Sequence, residues 1–107
     1  IKLTKDLADK FNINFKSLKT NVSIKNISLN DFILDHAIDG NYYIENVNIK
    51  NQFSINSDQM DMHVKASTFN DMKFIGKKGY AIFENNVSNN FSFKKVKTFR
   101  ALLSKQF

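Results

Sequence analysis

Two histidines and ten acidic residues are the inventory from which this chain could build acid–base or metal chemistry, and it has no cysteine. Asp35 and His36, with Asp39 nearby, can be written as a base and its orienting partner. Adjacent residues on a strand point to opposite faces, so the pair does not converge. Met60, Met62 and His63 contain soft metal ligands, yet a strand puts the two methionines on one face and the histidine on the other. Inward methionine is core filler more often than a copper ligand. Lys77 and Lys78, between Gly76 and Gly79, lack the spacing of a phosphate-binding loop and suit a loop tip. No catalytic residue, metal site or cofactor is assigned, and the chain is expected not to be an enzyme.

Charge is more informative. The net charge is +6, and it is unevenly spread. Asp31, Asp35, Asp39 and Glu45 lie in a stretch without a Lys or Arg, whereas Lys94, Lys95, Lys97, Arg100 and Lys105 lie in a tail without an acid. Those five basic residues are the candidates for contact with an anionic surface, either phospholipid headgroups or nucleic acid. For nucleic acid, FSFKK would supply aromatic stacking beside positive charge. The phenylalanines nevertheless recur at inward-facing intervals with other apolar residues, which is a core's requirement, so nucleic acid ranks last among the partners. No apolar run approaches the ~18 residues of a membrane-spanning helix, and no signal peptide is visible. The chain opens at Ile1 without an initiator methionine, which suggests an excised piece of a larger protein.

The elements that must carry these residues fit one domain, 1–107. LTKDLADKF suggests a short helix over 1–12: Thr4 suits the N-cap, and Leu3, Leu7 and Phe11 share a face. Residues 13–93 read as short strands. With three glycines and no proline, the fifteen asparagines are the natural turn-makers, because Asn bonds locally and tolerates positive φ. Asp39-Gly40-Asn41 is the clearest turn, and Gly76-Lys77-Lys78-Gly79 reads as a hairpin loop. Short connections predict antiparallel pairing, since parallel strands need crossovers of about a dozen residues or more. In 94–107 the period changes. Val96, Phe99, Leu103 and Phe107 follow helical spacing, which predicts a basic amphipathic helix. The expected fold class is α+β: a mostly antiparallel, twisted sheet of about six to eight short strands between two helices.

The stretch from Val22 to Ile49 falls into frames of five: VSIKN, ISLND, FILDH, AIDGN, YYIEN and VNIKN. All but the fourth are apolar at their first and third places, as in Val22/Ile24, Ile27/Leu29, Phe32/Leu34, Tyr42/Ile44 and Val47/Ile49. Such pairs share one strand face. A frame of five resembles the pentapeptide-repeat coil. That coil takes a small residue two places before its central one, where this chain has Val22, Ile27, Phe32, Tyr42 and Val47. The alternative is a run of strands whose inward parity resets at Asn26 and Asp31 by bulge or bend.

On that alternative, LKTNVSIKNISLNDFILD followed by a turn and YYIENVNIKNQFSI resembles the repeating unit of the AsmA and TamB superfamily of bacterial envelope proteins, over residues 18–85. The resemblance implies a periplasmic or cell-envelope location and a curled sheet whose apolar face carries or shields phospholipid. Val22, Ile24, Ile27, Leu29, Phe32, Leu34, Ile44, Val47 and Ile49 would then be groove or core residues. The rival reading is a structural or protein-interaction domain of an envelope assembly, such as a pilin-like subunit, whose exposed sheet edge recruits a partner strand. The oligomeric state is not legible in the sequence.

Overall fold

The apolar pairs do not lie on hairpins. A computed structural model of the chain describes residues 2–3, 12–15, 18–95 and 99–104. Its strands are β1 (Lys2–Leu3), β2 (Asn12–Phe15), β3 (Leu18–Lys19), β4 (Val22–Asp39), β5 (Asn41–Ser57), β6 (Met60–Lys65), β7 (Thr68–Gly76), β8 (Gly79–Glu84), β9 (Val87–Lys95) and β10 (Arg100–Ser104). They form a ten-stranded sheet in which every pairing is parallel. Val22 pairs with Tyr42, Tyr42 with Met62, Met62 with Ala81 and Ala81 with Ala101, so partners stand 19 or 20 residues apart along this column. The chain winds as a β-solenoid, and each coil stacks on the last at the strand spacing of about 4.8 Å.

The frame of five is one side of a coil. At the first corner Asn26, Asn46, Ala66 and Asn85 all have positive φ, between 53° and 56°. This conformation turns the strand without reversing it, and Asn adopts it at little cost. The second corner is a register irregularity between Leu29 and Asp31. The two parity resets are thus corners, and each returns the next apolar pair to the interior. Both residues of a pair are bulky, and the coil encloses both: Val22, Ile24, Ile27, Leu29, Phe32 and Leu34 are all buried.

Inward columns run along the axis. Ile24, Ile44, Val64 and Phe83 form one, and Leu34, Ile55 and Phe74 another. Aromatic rings stack within and between them, with Phe32 and Phe53 centred 5.4 Å apart and Phe53 and Phe69 4.7 Å apart. One column turns polar where β6 gives way to β7. There Ser67 Oγ accepts a hydrogen bond from the Val47 N–H at 3.1 Å, and Asn86 Oδ1 accepts from the Ser67 N–H at 3.0 Å. Side chains replace the backbone ladder at that break, so the buried amides keep partners.

The fold therefore corrects the α+β, antiparallel expectation. The described residues are all-β, without a helix. The crossover that parallel pairing requires is present, but it is built of strand: the other sides of each coil are the connection. Gly76-Lys77-Lys78-Gly79 is a corner rather than a hairpin loop, since β7 pairs with β5 and β9 whereas β8 pairs with β6 and β10. Asp39-Gly40-Asn41 is likewise a corner, joining β4 to the strand stacked parallel on it. Of the helix expected over 1–12, Lys2–Leu3 and Asn12 are strand, and 4–11 lie outside the described residues. Of the helix expected over 94–107, Lys94 and Lys95 end β9 and Arg100–Ser104 form β10, held in register on Tyr80–Glu84. Leu103 and Phe99 share a helical spacing, but Leu103 instead fills the column above Phe83.

Candidate functional site

The residues offered for chemistry are dispersed over the outer faces. His36 turns away from Asp35 and Asp39: its Nδ1 lies 2.9 Å from Asp58 Oδ2 one coil on, and Lys77 Nζ donates to Asp58 Oδ1 at 3.2 Å. Partial desolvation would raise the Asp58 carboxyl, but the hydrogen bonds and charges of Lys77 and His36 outweigh it and hold the group below its ordinary value. Met60 and Met62 are core. His63, on the opposite face, places Nε2 2.9 Å from Glu84 Oε1 and meets the Tyr43 ring edge-on at 5.6 Å. Lys25 and Lys65 flank that ring at 5.0 and 5.7 Å, and Lys65 also pairs with Glu45 at 3.6 Å. Among the described residues no group of three His, Asp or Glu side chains could hold a metal ion. These contacts join one coil to the next and clamp the stack laterally.

A polar groove of about 710 Å³ runs along the corner that contains Thr20, Asn21, Gly40, Asn41, Asp61 and Gly79. Its depth follows from backbone proximity. A Cβ on Gly40 would lie 2.1 Å from the Thr20 carbonyl oxygen, and one on Gly79 1.9 Å from that of Met60. Its polar atoms already serve the corner: the Asn41 N–H donates to Asn21 Oδ1 at 2.9 Å, and the Tyr80 N–H to Asp61 Oδ1 at 3.3 Å. Asp39 accepts from the Gly40 N–H at 2.8 Å. The groove is a consequence of the turn.

Val22, Ile24, Ile27, Leu29, Phe32, Leu34, Ile44, Val47 and Ile49 all belong to the packed interior, none more than 5% exposed. Of the basic candidates, Lys94, Lys95 and Arg100 are exposed on the last coil, and Lys97 and Lys105 lie outside the described residues.

The last coil is the feature that strand-by-strand reading misses. β9 pairs only with β7 and β10 only with β8 among the described residues, so each presents one unpaired edge. Above Met72, which is 2% exposed, stands Phe91 at 40%; above Phe83, at 0%, stands Leu103 at 44%. Phe93 is partly covered, stacked on Phe74 at 4.9 Å and beside Phe91 at 6.3 Å. Beyond β9, Phe99 packs over Gly76 and is buried. Lys95 occupies the inward column above Ser57 and Gly76, yet it is exposed. An autocorrelation at twenty residues, linking Ile24, Ile44 and Val64, would have revealed the stack and hence its end. No protein-family model, curated protein or solved structure matches this chain.

Proposed function

We propose that this chain is a non-enzymatic structural or protein-interaction module, whose β9 and β10 edges take up a further strand, supplied by a continuing coil or by a protein partner. The observation that carries this reading is the exposure of Phe91 and Leu103 beside two strands whose outer edges are unpaired among the described residues. Unpaired edges recruit strands, and the uncovered apolar column gives an added strand something to bury. Carriage of phospholipid, as the AsmA and TamB resemblance implied, drew on an apolar face open to acyl chains. The side chains offered for it are the core of the solenoid, which favours the interaction reading over the transport one.

The test is site-specific photocrosslinking in the cells that make the protein. A photoreactive residue replaces Leu103 at the open end or, as a control, the exposed Lys73 on a lateral face. Crosslinks to protein, within the same polypeptide or to a partner, are expected from position 103 and none from position 73. Phospholipid adducts at 103, or equal protein adducts from both positions, would overturn the reading.

A further inference from the structure

Away from the coil ends, the corner that leads into β4, β5, β6 and β8 carries the polar groove on the flank of the solenoid. Thr20, Gly40, Met60 and Gly79 take equivalent places in its floor, since each lies two residues before one of the register partners Val22, Tyr42, Met62 and Ala81. Gly40 and Gly79 have no side chain, and Met60 buries its own in the core. Backbone alone therefore floors the groove from Gly40 to Gly79. One wall is the outward column Asn41, Asp61 and Tyr80, which alternates with the buried Tyr42, Met62 and Ala81. The other is Asp39, Gln59 and Lys78, each the residue before a floor position.

The turn uses only part of this lining. Asp39 and Asp61 each give one carboxylate oxygen to a backbone N–H, that of Gly40 and that of Tyr80. Their second oxygens, the Gln59 amide and the Lys78 ammonium have no hydrogen-bond partner among the described residues. Tyr80, 43% exposed, extends its wall with an aromatic ring. A phosphate-bearing ligand would meet two carboxylates and one lysine, and a metal ion would lack a third His, Asp or Glu among the described residues. A neutral sugar chain suits the lining better. Its hydroxyls both donate and accept, and the C–H face of a pyranose ring packs on an aromatic ring while its rim stays hydrogen-bonded.

Spacing narrows the class. The floor repeats once per coil, at about 4.8 Å, close to the advance per ring of a flat β-1,4-linked chain, whereas α-linked chains curl away from such a line. A groove of about 710 Å³ over three coils has room for roughly three rings.

We propose that this groove binds a neutral β-1,4-linked oligosaccharide lying along the solenoid axis. One ring stacks on Tyr80, and the hydroxyls of its neighbours bond to Asp61 and Asp39, with Gln59 and Lys78 on the facing wall. The site lies off the outer edges of β9 and β10 and does not depend on what covers them.

The experiment follows the backbone amide resonances of the full, isotope-labelled chain while cellotriose and chitotriose are titrated to millimolar concentration, with maltotriose, the α-linked isomer of cellotriose, as control. At least one β-linked trisaccharide is expected to shift Gly40, Asn41, Asp61, Gly79 and Tyr80 saturably, and to bind at least about tenfold more tightly than maltotriose. Tyr80→Ala should weaken that binding about tenfold, whereas Tyr80→Phe, which keeps the ring, should stay within about threefold of the parent. Circular dichroism checks that both variants fold. The proposal is overturned if neither β-linked sugar shifts these resonances, if maltotriose binds equally well, if Tyr80→Ala binds like the parent, or if Tyr80→Phe binds as weakly as Tyr80→Ala.

Discussion

Phe74 and Phe91 are inward phenylalanines in adjacent columns of adjacent coils, yet one is fully buried and the other is 40% exposed. Both sit in the same local spacing, an apolar pair two apart around a polar residue: Met72-Lys73-Phe74 and Phe91-Ser92-Phe93. What separates them is the presence of a strand above. In a solenoid each coil is the lid of the one before it, so burial is a property of the neighbouring coil. The middle coils are thus covered on both sides, and the last coil holds the apolar surface that is uncovered among the described residues.

Removing one ring from each region tests that difference most directly. Phe74→Ala opens a cavity among Phe83, Phe93 and Phe99, and should destabilise the chain by about 3–5 kcal/mol in urea unfolding. Phe91→Ala removes a ring that water already reaches, and should lower stability by about 1 kcal/mol or less. Equal losses would mean that the last coil is covered in solution.

The corners give the next largest effect. Gly40 has φ +131°, and a Cβ there would collide with the Thr20 carbonyl of the preceding coil. Gly40→Ala should therefore cost about 2 kcal/mol or more, read as a lower urea midpoint. An alanine tolerated at this position would show that successive coils are less tightly stacked there than the middle coils require.

Two substitutions in the middle coils should raise stability or leave it unchanged. Ala66 is the one alanine in the positive-φ corner, whose other members are Asn26, Asn46 and Asn85. Asn46 Nδ2 already donates to Asn26 Oδ1 at 2.9 Å, and Ala66→Asn would extend this ladder while relieving backbone strain. A gain of about 1 kcal/mol is expected, and no gain would show that the corner is unstrained. Tyr42→Phe removes a buried hydroxyl that has no hydrogen-bond partner among the described residues, and should be neutral or stabilising by up to about 1 kcal/mol.

Tyr42 also makes a pH-dependent prediction. Burial, and secondarily the Asp39 carboxylate, push its phenol up to about 12. The unfolded chain ionises near its ordinary value of about 10, so above that pH it binds fewer protons than the native state. The stabilisation from the neutral phenol is complete below pH ~10 and is lost as pH rises towards 12. Alkaline unfolding curves should show this decline in the parent and a shallower one in Tyr42→Phe.

Much of the interior was legible in the chain, because alternation of apolar and polar residues reports which face of a strand avoids water. The pairs from Val22/Ile24 to Val47/Ile49 are core for that reason, and Asn26 turns the chain because its side chain permits positive φ. Strand direction was not legible. A corner and a hairpin use the same residues, so Asp39-Gly40-Asn41 and Gly76-Lys77-Lys78-Gly79 read equally well as either. Nor did Val96, Phe99 and Leu103 separate helix from strand, since the hydrogen bonds of β10 come from Tyr80–Glu84, about twenty residues earlier. The exposure of Phe91 was hidden for a related reason: its inward position follows from Met72 below, nineteen residues earlier in the chain.

By itself, then, the sequence determined that strands form, which side chains face inward, where the chain bends and where positive charge collects. Each of these is decided within a few residues by side-chain size, polarity and backbone preference. Only the tertiary structure decided that the strands stack in parallel and which inward residues are covered by a strand of the next coil among the described residues. Both depend on pairing between residues about twenty apart, a distance over which local preference carries no information.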